Sequence, residues 1–334
     1  MKSFLKTILF LSLSCGLSTC GERPDKEWDM SLPSGFSEFH TQNAIKFSEE
    51  VFKVTKGKLK INVHPGAILG LKGPESIRAL EEGLVDMAEM PTFQQVGVEP
   101  LLGLDSLPFL IRDQTDLRVL YSILRPKLED LYASHNLKII YMVPWPNQNF
   151  YTKIKTDKLS SLIGTKIRTY DRNSSELIER LGLGAVQLPS QDVVTALASG
   201  MVDGVMTSTT TGAAQKYWEF LNYIYRTNHL WVSNVMAVNL KSWNKLEPDV
   251  QQAVEDVAIK LEPVFWAVSK GDDQAKLKVL VENGIEVIEP SNQMMAEMRA
   301  LATPMWQDFI TRVGPIAQDI IEEYLEKTGQ EMGT

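Results

Sequence analysis

Between Gly164 and Gly212 the spacing of apolar positions switches repeatedly between two periods. Gly164–Tyr170 (GTKIRTY), Ala185–Pro189 (AVQLP) and Met201–Ser208 (MVDGVMTS) are short runs that predict strands. Asn173–Gly182 (NSSELIERLG) and Gln191–Gly200 (QDVVTALASG) carry helical spacing instead. Strands alternating with helices of this length predict crossover units and a parallel sheet. A hydroxyl-rich loop, Thr207 to Thr211, is expected to follow the last strand. The pattern has an echo upstream. Ala79-Leu80-Glu81-Glu82-Gly83-Leu84-Val85-Asp86 parallels Ala196-Leu197-Ala198-Ser199-Gly200-Met201-Val202-Asp203. Each reads as a helix end, a glycine suited to the left-handed cap and a following buried strand. Two lobes, each with its own sheet, are therefore expected.

The remaining chain reads in the same terms. Strands are expected at Trp28–Leu32, Leu59–Val63, Val85–Met90, Leu137–Val143, Val235–Asn239 and Gly284–Ile288. Helices are expected at about 41–55, 74–83 and 116–134, and from Gln293 to the end. From Pro248 to Val281 the pattern is helical throughout, long enough to cross both lobes as a spine, with Pro263 expected to kink or break it. Pro144-Trp145-Pro146-Asn147-Gln148-Asn149-Phe150-Tyr151 reads as the crossing between lobes. Its prolines lock their own φ and restrict the residues before them, which holds Trp145 rigidly. The expected division is residues 27–148 with 234–273 in the first lobe and 149–233 with 274–334 in the second.

Composition narrows the function more than the fold. A chain of 334 residues is long enough for two separate cores, and a net charge of -8 without a basic cluster argues against nucleic acid as a partner. The four histidines, His40, His64, His135 and His229, have no metal-ligand spacing. Lys2 and Lys6 precede an apolar run from Ile8 to Leu17, of signal-peptide length and too short to span a bilayer. Residues 1–20 are thus read as a signal for export to the periplasm. Leu17-Ser18-Thr19-Cys20-Gly21 resembles the lipobox of bacterial lipoproteins, which makes Cys20 a candidate lipid anchor; ordinary cleavage nearby is the alternative. Both cysteines lie in this segment, so a mature domain has none for a disulfide.

Ligands of open α/β sheets bind beyond the carboxyl ends of the strands. Arg168 sits near one such end and the Thr207–Thr211 run at another. A fixed cation facing hydroxyl donors suits a carboxylate. Further candidates are Phe36, Phe39 and His40 before the first helix, and Phe93 and Gln94 after the third strand. Trp145 offers a flat apolar wall, and Gln148 a donor or acceptor. The packing alternatives are a staple on the helix start for Phe36, Phe39 and His40, and core aromatics for Phe93 and Trp145. No dinucleotide fingerprint, phosphate loop, zinc-protease helix or nucleophile elbow occurs, and no cofactor is called for.

Taken together these residues resemble the periplasmic substrate-binding subunit of tripartite ATP-independent periplasmic (TRAP) transporters. The resemblance rests on Gly164-Thr165-Lys166-Ile167-Arg168, the Leu188-Pro189 step into Val194-Thr195-Ala196-Leu197, and Gly200-Met201-Val202-Asp203-Gly204. Thr227-Asn228-His229 and Ser242-Trp243-Asn244-Lys245-Leu246 add to it. It implies an α/β, two-lobe clamshell with a long helix spanning both lobes, and delivery of an organic acid to membrane permease subunits. It also implies that Arg168 pairs with the ligand carboxylate. Many members carry Glu-Asn-Pro where this chain has Met206-Thr207-Ser208, so Thr207 stands at the position of a ligand-contacting asparagine. Sugar-acid binders often carry a second arginine in the stretch matching Trp145 to Tyr151, and none is present here. With Ser208 beside Thr207, and Phe93, Trp145 and Trp231 as an apolar wall, the expected ligand is a monocarboxylate with an apolar or aromatic body, such as an aromatic keto acid. The alternatives are a dicarboxylate or sugar acid, a periplasmic enzyme acting on an organic acid, and a sensory subunit reporting to a kinase.

Overall fold

The computed structural model describes residues 24–332, so the leader and Cys20 lie outside the described residues. In chain order the strands are β1 (Lys26–Ser31), β2 (Leu59–His64), β3 (Met87–Pro91), β4 (Leu137–Pro144), β5 (Asn149–Thr152), β6 (Lys166–Thr169), β7 (Gly184–Gln187), β8 (Gly204–Thr207), β9 (Tyr223–Tyr225), β10 (Ser233–Asn239) and β11 (Glu286–Ile288). They form two sheets, β2-β1-β3-β10-β4 and β11-β9-β5-β8-β6-β7. The parallel pairings predicted from the alternating pattern are present, β1 with β2 and β3 in one sheet and β6 with β7 and β8 in the other. Both sheets also hold antiparallel neighbours, because two of the chain's crossings between lobes feed a strand into the sheet they enter. β5 enters against β8 and β9, and β10 returns between β3 and β4. The two crossings run side by side, with Trp145 N donating to Val232 O and Gln148 N to Leu230 O, both at 2.9 Å.

The echoed helix ends behave alike. Helices Ser76–Glu81 and Val193–Ala198 are followed by Gly83 at φ 74° and Gly200 at φ 72°, left-handed values that a β-carbon would strain. The hydroxyl-rich stretch departs from the expected loop. Ser208 caps a short helix, Thr209–Ala214, by accepting from Thr211 N. Thr209 Oγ1 donates to Asp273 at 2.7 Å and Thr210 Oγ1 to Asp272, tying this helix to the spine. A threonine run has little helical propensity, so these tertiary bonds decide the local conformation.

The spine is one helix, Pro248–Glu282, unbroken at Pro263. Proline removes the donor for the carbonyl four residues earlier, here Ile259. Both residues face solvent, Ile259 with 73% of its surface exposed, so the break in the ladder falls on the solvent side of the helix rather than in the core. The helix packs on Phe39–Val54 and β4 in the first lobe and on Thr209–Ala214 in the second. Residues 274–334 were expected in the second lobe. β11 does pair there, but Trp306, Phe309, Ile320 and Tyr324 of the terminal helices lie in the core built on the first sheet with Leu117, Leu124 and Ile139. Trp306 Nε1 and Tyr324 Oη anchor them by donating to Pro108 O and Leu110 O, each at 2.9 Å. Among the described residues no helix is long and apolar enough to cross a membrane.

Candidate functional site

The carboxyl ends of β1, β3, β6 and β8 face one cleft of about 280 Å³ between the sheets. That is at the small end of the roughly 300–1,000 Å³ usual for small-molecule sites. Arg168 lies on β6 between Val186 of β7 and Val205 of β8, in the interior of its sheet, and lines the cleft. The side chain is 3% exposed. Its Nε donates to Leu188 O at 2.9 Å, and the guanidinium sits 5.5 Å from the centre of the Tyr170 ring. Among the described residues no carboxylate forms an ion pair with it. Asp171, close in sequence, is committed elsewhere: it accepts from Ser174 N at 2.7 Å and from Ser106 Oγ at 2.9 Å. Burial pulls the Arg168 pKa down, against weaker opposing effects of Tyr217, Tyr170 and Asp171. A guanidinium stays charged even so. The cation is thus buried, oriented by one backbone carbonyl and left without a counter-ion.

Thr207 ends β8 beside Asn149 of β5 and lines the cleft, and its hydroxyl makes no hydrogen bond to any described residue. Ser208, at the helix cap, lines it too, as does Thr211. Phe93 and Tyr170 meet edge to face, their ring centres 4.7 Å apart, and form a wall contributed by both lobes. Trp145 lines the cleft from the crossing. Its Nε1 donates to Asn234 Oδ1 at 2.8 Å, and its ring lies 4.3 Å from His40 and 5.6 Å from Phe39. The indole N–H is therefore used inside the protein, and the ring serves as an apolar surface. Gln148 also lines the cleft, with Nε2 donating to Pro146 O at 2.7 Å.

Four expected residues, Trp231, Phe36, Phe39 and His40, fall outside the cleft lining. Trp231 is buried in the first-lobe core, packed with the residues around β4 and β10. Phe36 is 68% exposed on the turn after β1 and does not line the cleft. Phe39 and His40 back the wall behind Trp145, and His40 Nδ1 lies 3.1 Å from Glu89 Oε1. Gln94 does line the cleft, with a buried Oε1 that has no partner. Thr227-Asn228-His229 belongs to the return crossing rather than the cleft. Asn228 takes a left-handed φ of 46°, and Thr227 Oγ1 lies 2.6 Å from His229 Nδ1. Burial lowers the His229 pKa to about 3, so its ring is neutral.

The sequence reading missed Glu38, Ser34 and Tyr170. Tyr170 follows Arg168 by two positions on one strand direction, and that spacing could have found it. Glu38 and Ser34 are ordinary residues of a turn. Only the fold brings them opposite Arg168. Among the described residues no group of His, Cys, Asp and Glu is suited to a metal ion.

Comparison with known proteins bears on the family and the fold. The extracytoplasmic solute receptor DctP7 of Bordetella pertussis, described as binding pyroglutamic acid, is 28% identical, with a TM-score of 0.87 over 90% of this chain and 99% of its own. A marine metagenome TRAP solute-binding protein, described as specific for pyroglutamate, is 29% identical, with a TM-score of 0.86 over 91% and 99%. The 2,3-diketo-L-gulonate-binding periplasmic protein YiaO of Escherichia coli (strain K12) is 26% identical over 275 residues, 77% of this chain and 80% of its own. Residues 35–312 match the profile of the bacterial extracellular solute-binding proteins, family 7. The chain is a member of that family, the extracytoplasmic solute receptors of TRAP transporters.

Proposed function

We propose that this receptor captures a small monocarboxylate with a compact, mostly apolar body and hands it to a TRAP membrane permease. The observation that carries the reading is Arg168, a buried cation lining the cleft with no carboxylate of its own. Charge-assisted, bidentate hydrogen bonds to a ligand carboxylate supply what the protein withholds. Phe93, Tyr170 and Trp145 fit the flat faces of a small ring, and the Thr207 and Ser208 hydroxyls fit a polar edge. A cleft of about 280 Å³ has room for a compact ring acid. Pyroglutamate, named for two of the relatives described above, has these dimensions and a single carboxylate. Lys72 is the other cation at the cleft, and it is exposed to solvent at the rim, where a second carboxylate would gain little.

Closure follows from the same chemistry. Ligand bridging the lobes shifts an open–closed equilibrium by its differential affinity for the closed form. The signal-like leader and the family's extracytoplasmic role fit export before binding.

Calorimetric titration with pyroglutamate, an aromatic keto acid, a C4-dicarboxylate and a hexuronate tests the reading. The compact cyclic monocarboxylate is expected to bind most tightly, by about tenfold or more, since one lost charge-assisted bond is worth roughly 1.5–3 kcal/mol. A dicarboxylate or hexuronate binding tightest would overturn it.

A further inference from the structure

One side chain in the cleft has no place in a scheme of carboxylate on arginine. Among the described residues Glu38 is the one carboxylate lining the cleft, and it belongs to the first lobe while Arg168 belongs to the second. It stands just before helix Phe39–Val54, at the cap position, with extended backbone (φ -81°, ψ 143°), yet its side chain does not cap the helix. Oε2 turns back and accepts from Gly35 N at 2.6 Å, closing the turn after β1. Oε1 has no hydrogen-bond donor among the described residues. No cation pairs with Glu38 among the described residues: His40 is held against Glu89, which also accepts from Ser34 Oγ at 2.9 Å. Burial raises the Glu38 pKa, with Glu89 and Asp272 adding to the rise and Gly35 N–H and His40 opposing it. Glu38 and Arg168 form no ion pair with one another, yet both line the same cleft, one from each lobe. They therefore flank one space without filling it.

We propose that Glu38 is a specificity-determining residue: it accepts an N–H carried by the ligand next to the carboxylate that Arg168 holds. The ligand class is then a cyclic α-carboxylate with a ring N–H, as in a lactam acid, rather than a keto acid or a lactone. An acceptor-only atom at that point would face a carboxylate oxygen across a desolvated gap and lose a bond at the same time. This inference rests on the monocarboxylate reading of the cleft and refines it. It also gives the first lobe a share in recognition, since Glu38 reads the nitrogen while β6 and β8 hold the acid.

A matched ligand pair isolates the contact. Pyroglutamate and its lactone counterpart, 5-oxotetrahydrofuran-2-carboxylate, differ only in N–H against ring oxygen. By calorimetry the wild-type chain should prefer the lactam by about tenfold to hundredfold, the range for a hydrogen bond to a charged acceptor. Glu38→Gln keeps an oxygen for Gly35 N–H, so its melting temperature should match the wild type. Its amide places a donor in the gap, so the preference should shrink to near unity or reverse. Equal wild-type affinities for the two acids, or a preference that survives in Glu38→Gln, would overturn the role of Glu38 and leave the monocarboxylate reading standing. If neither acid binds while a dicarboxylate or hexuronate does, the underlying reading fails, and this inference with it.

Discussion

Asp86 in the first lobe and Asp203 in the second make the same clamp, and what lies beyond each clamp differs. Asp29 N donates to Asp86 Oδ2 at 3.0 Å while Asp86 N donates to Asp29 O at 3.1 Å. Lys166 N donates to Asp203 Oδ2 at 2.9 Å while Asp203 N donates to Lys166 O at 2.7 Å. In each lobe the clamp fixes a parallel pair, Met30 beside Met87 and Ser31 beside Ala88, Ile167 beside Gly204 and Arg168 beside Val205. Ser31 and Arg168 thus occupy corresponding places, as do Glu89 and Met206 three positions after the clamps. The first lobe puts its buried charge at Glu89 and completes it internally with His40 and Ser34. The second puts it at Arg168 and supplies only a backbone carbonyl. One frame, used twice, carries a charge satisfied at rest at Glu89 and a charge that waits for a ligand at Arg168.

The contrast predicts opposite phenotypes for the two charges. Glu89→Ala should destabilise the unliganded protein by about 3 kcal/mol, because His40 and Ser34 lose their buried acceptor together. A denaturant titration showing less than about 1 kcal/mol would mean that the first-lobe charge is not self-sufficient.

The clamps themselves should give smaller effects that separate by lobe. Asp86→Ala and Asp203→Ala each remove an acceptor from a strand N–H, at roughly 1–2 kcal/mol of stability. Asp86 also accepts from Ser242 Oγ at 2.6 Å, so its loss should be the larger in denaturant titrations. Only Asp203→Ala should weaken ligand binding, by a few-fold, since it alone sets β6 against β8. Equal binding losses from both would mean that the lobes contribute to the site in the same way.

Much of this frame is legible in the residues. The Gly83 and Gly200 echo announces two similar units, because a left-handed helix cap before a buried strand constrains sequence strongly. Arg168 is found by its place at a strand end in a parallel sheet, a topological rule that needs no contacts. The rest depends on tertiary packing. Trp231 carries the same aromatic signal as Trp145, and only the pairing of the two crossings shows that one faces the cleft and the other the core. The threonine run is helical because Asp272 and Asp273, more than sixty residues away, accept its hydroxyls. Glu38 looks like any acid at a helix start until Gly35 turns it toward the cleft.

The most direct test of the central claim is calorimetric titration of wild type and Arg168→Met with pyroglutamate, alongside thermal melts without ligand. Methionine fills similar volume without the charge. Binding should weaken by about 100-fold or more, the cost of leaving a buried carboxylate unpaired being roughly 3–5 kcal/mol. The unliganded variant should melt no lower than wild type, since an uncompensated charge has been removed. Affinity within about threefold of wild type would show that the ligand acid is held elsewhere and would contradict the account.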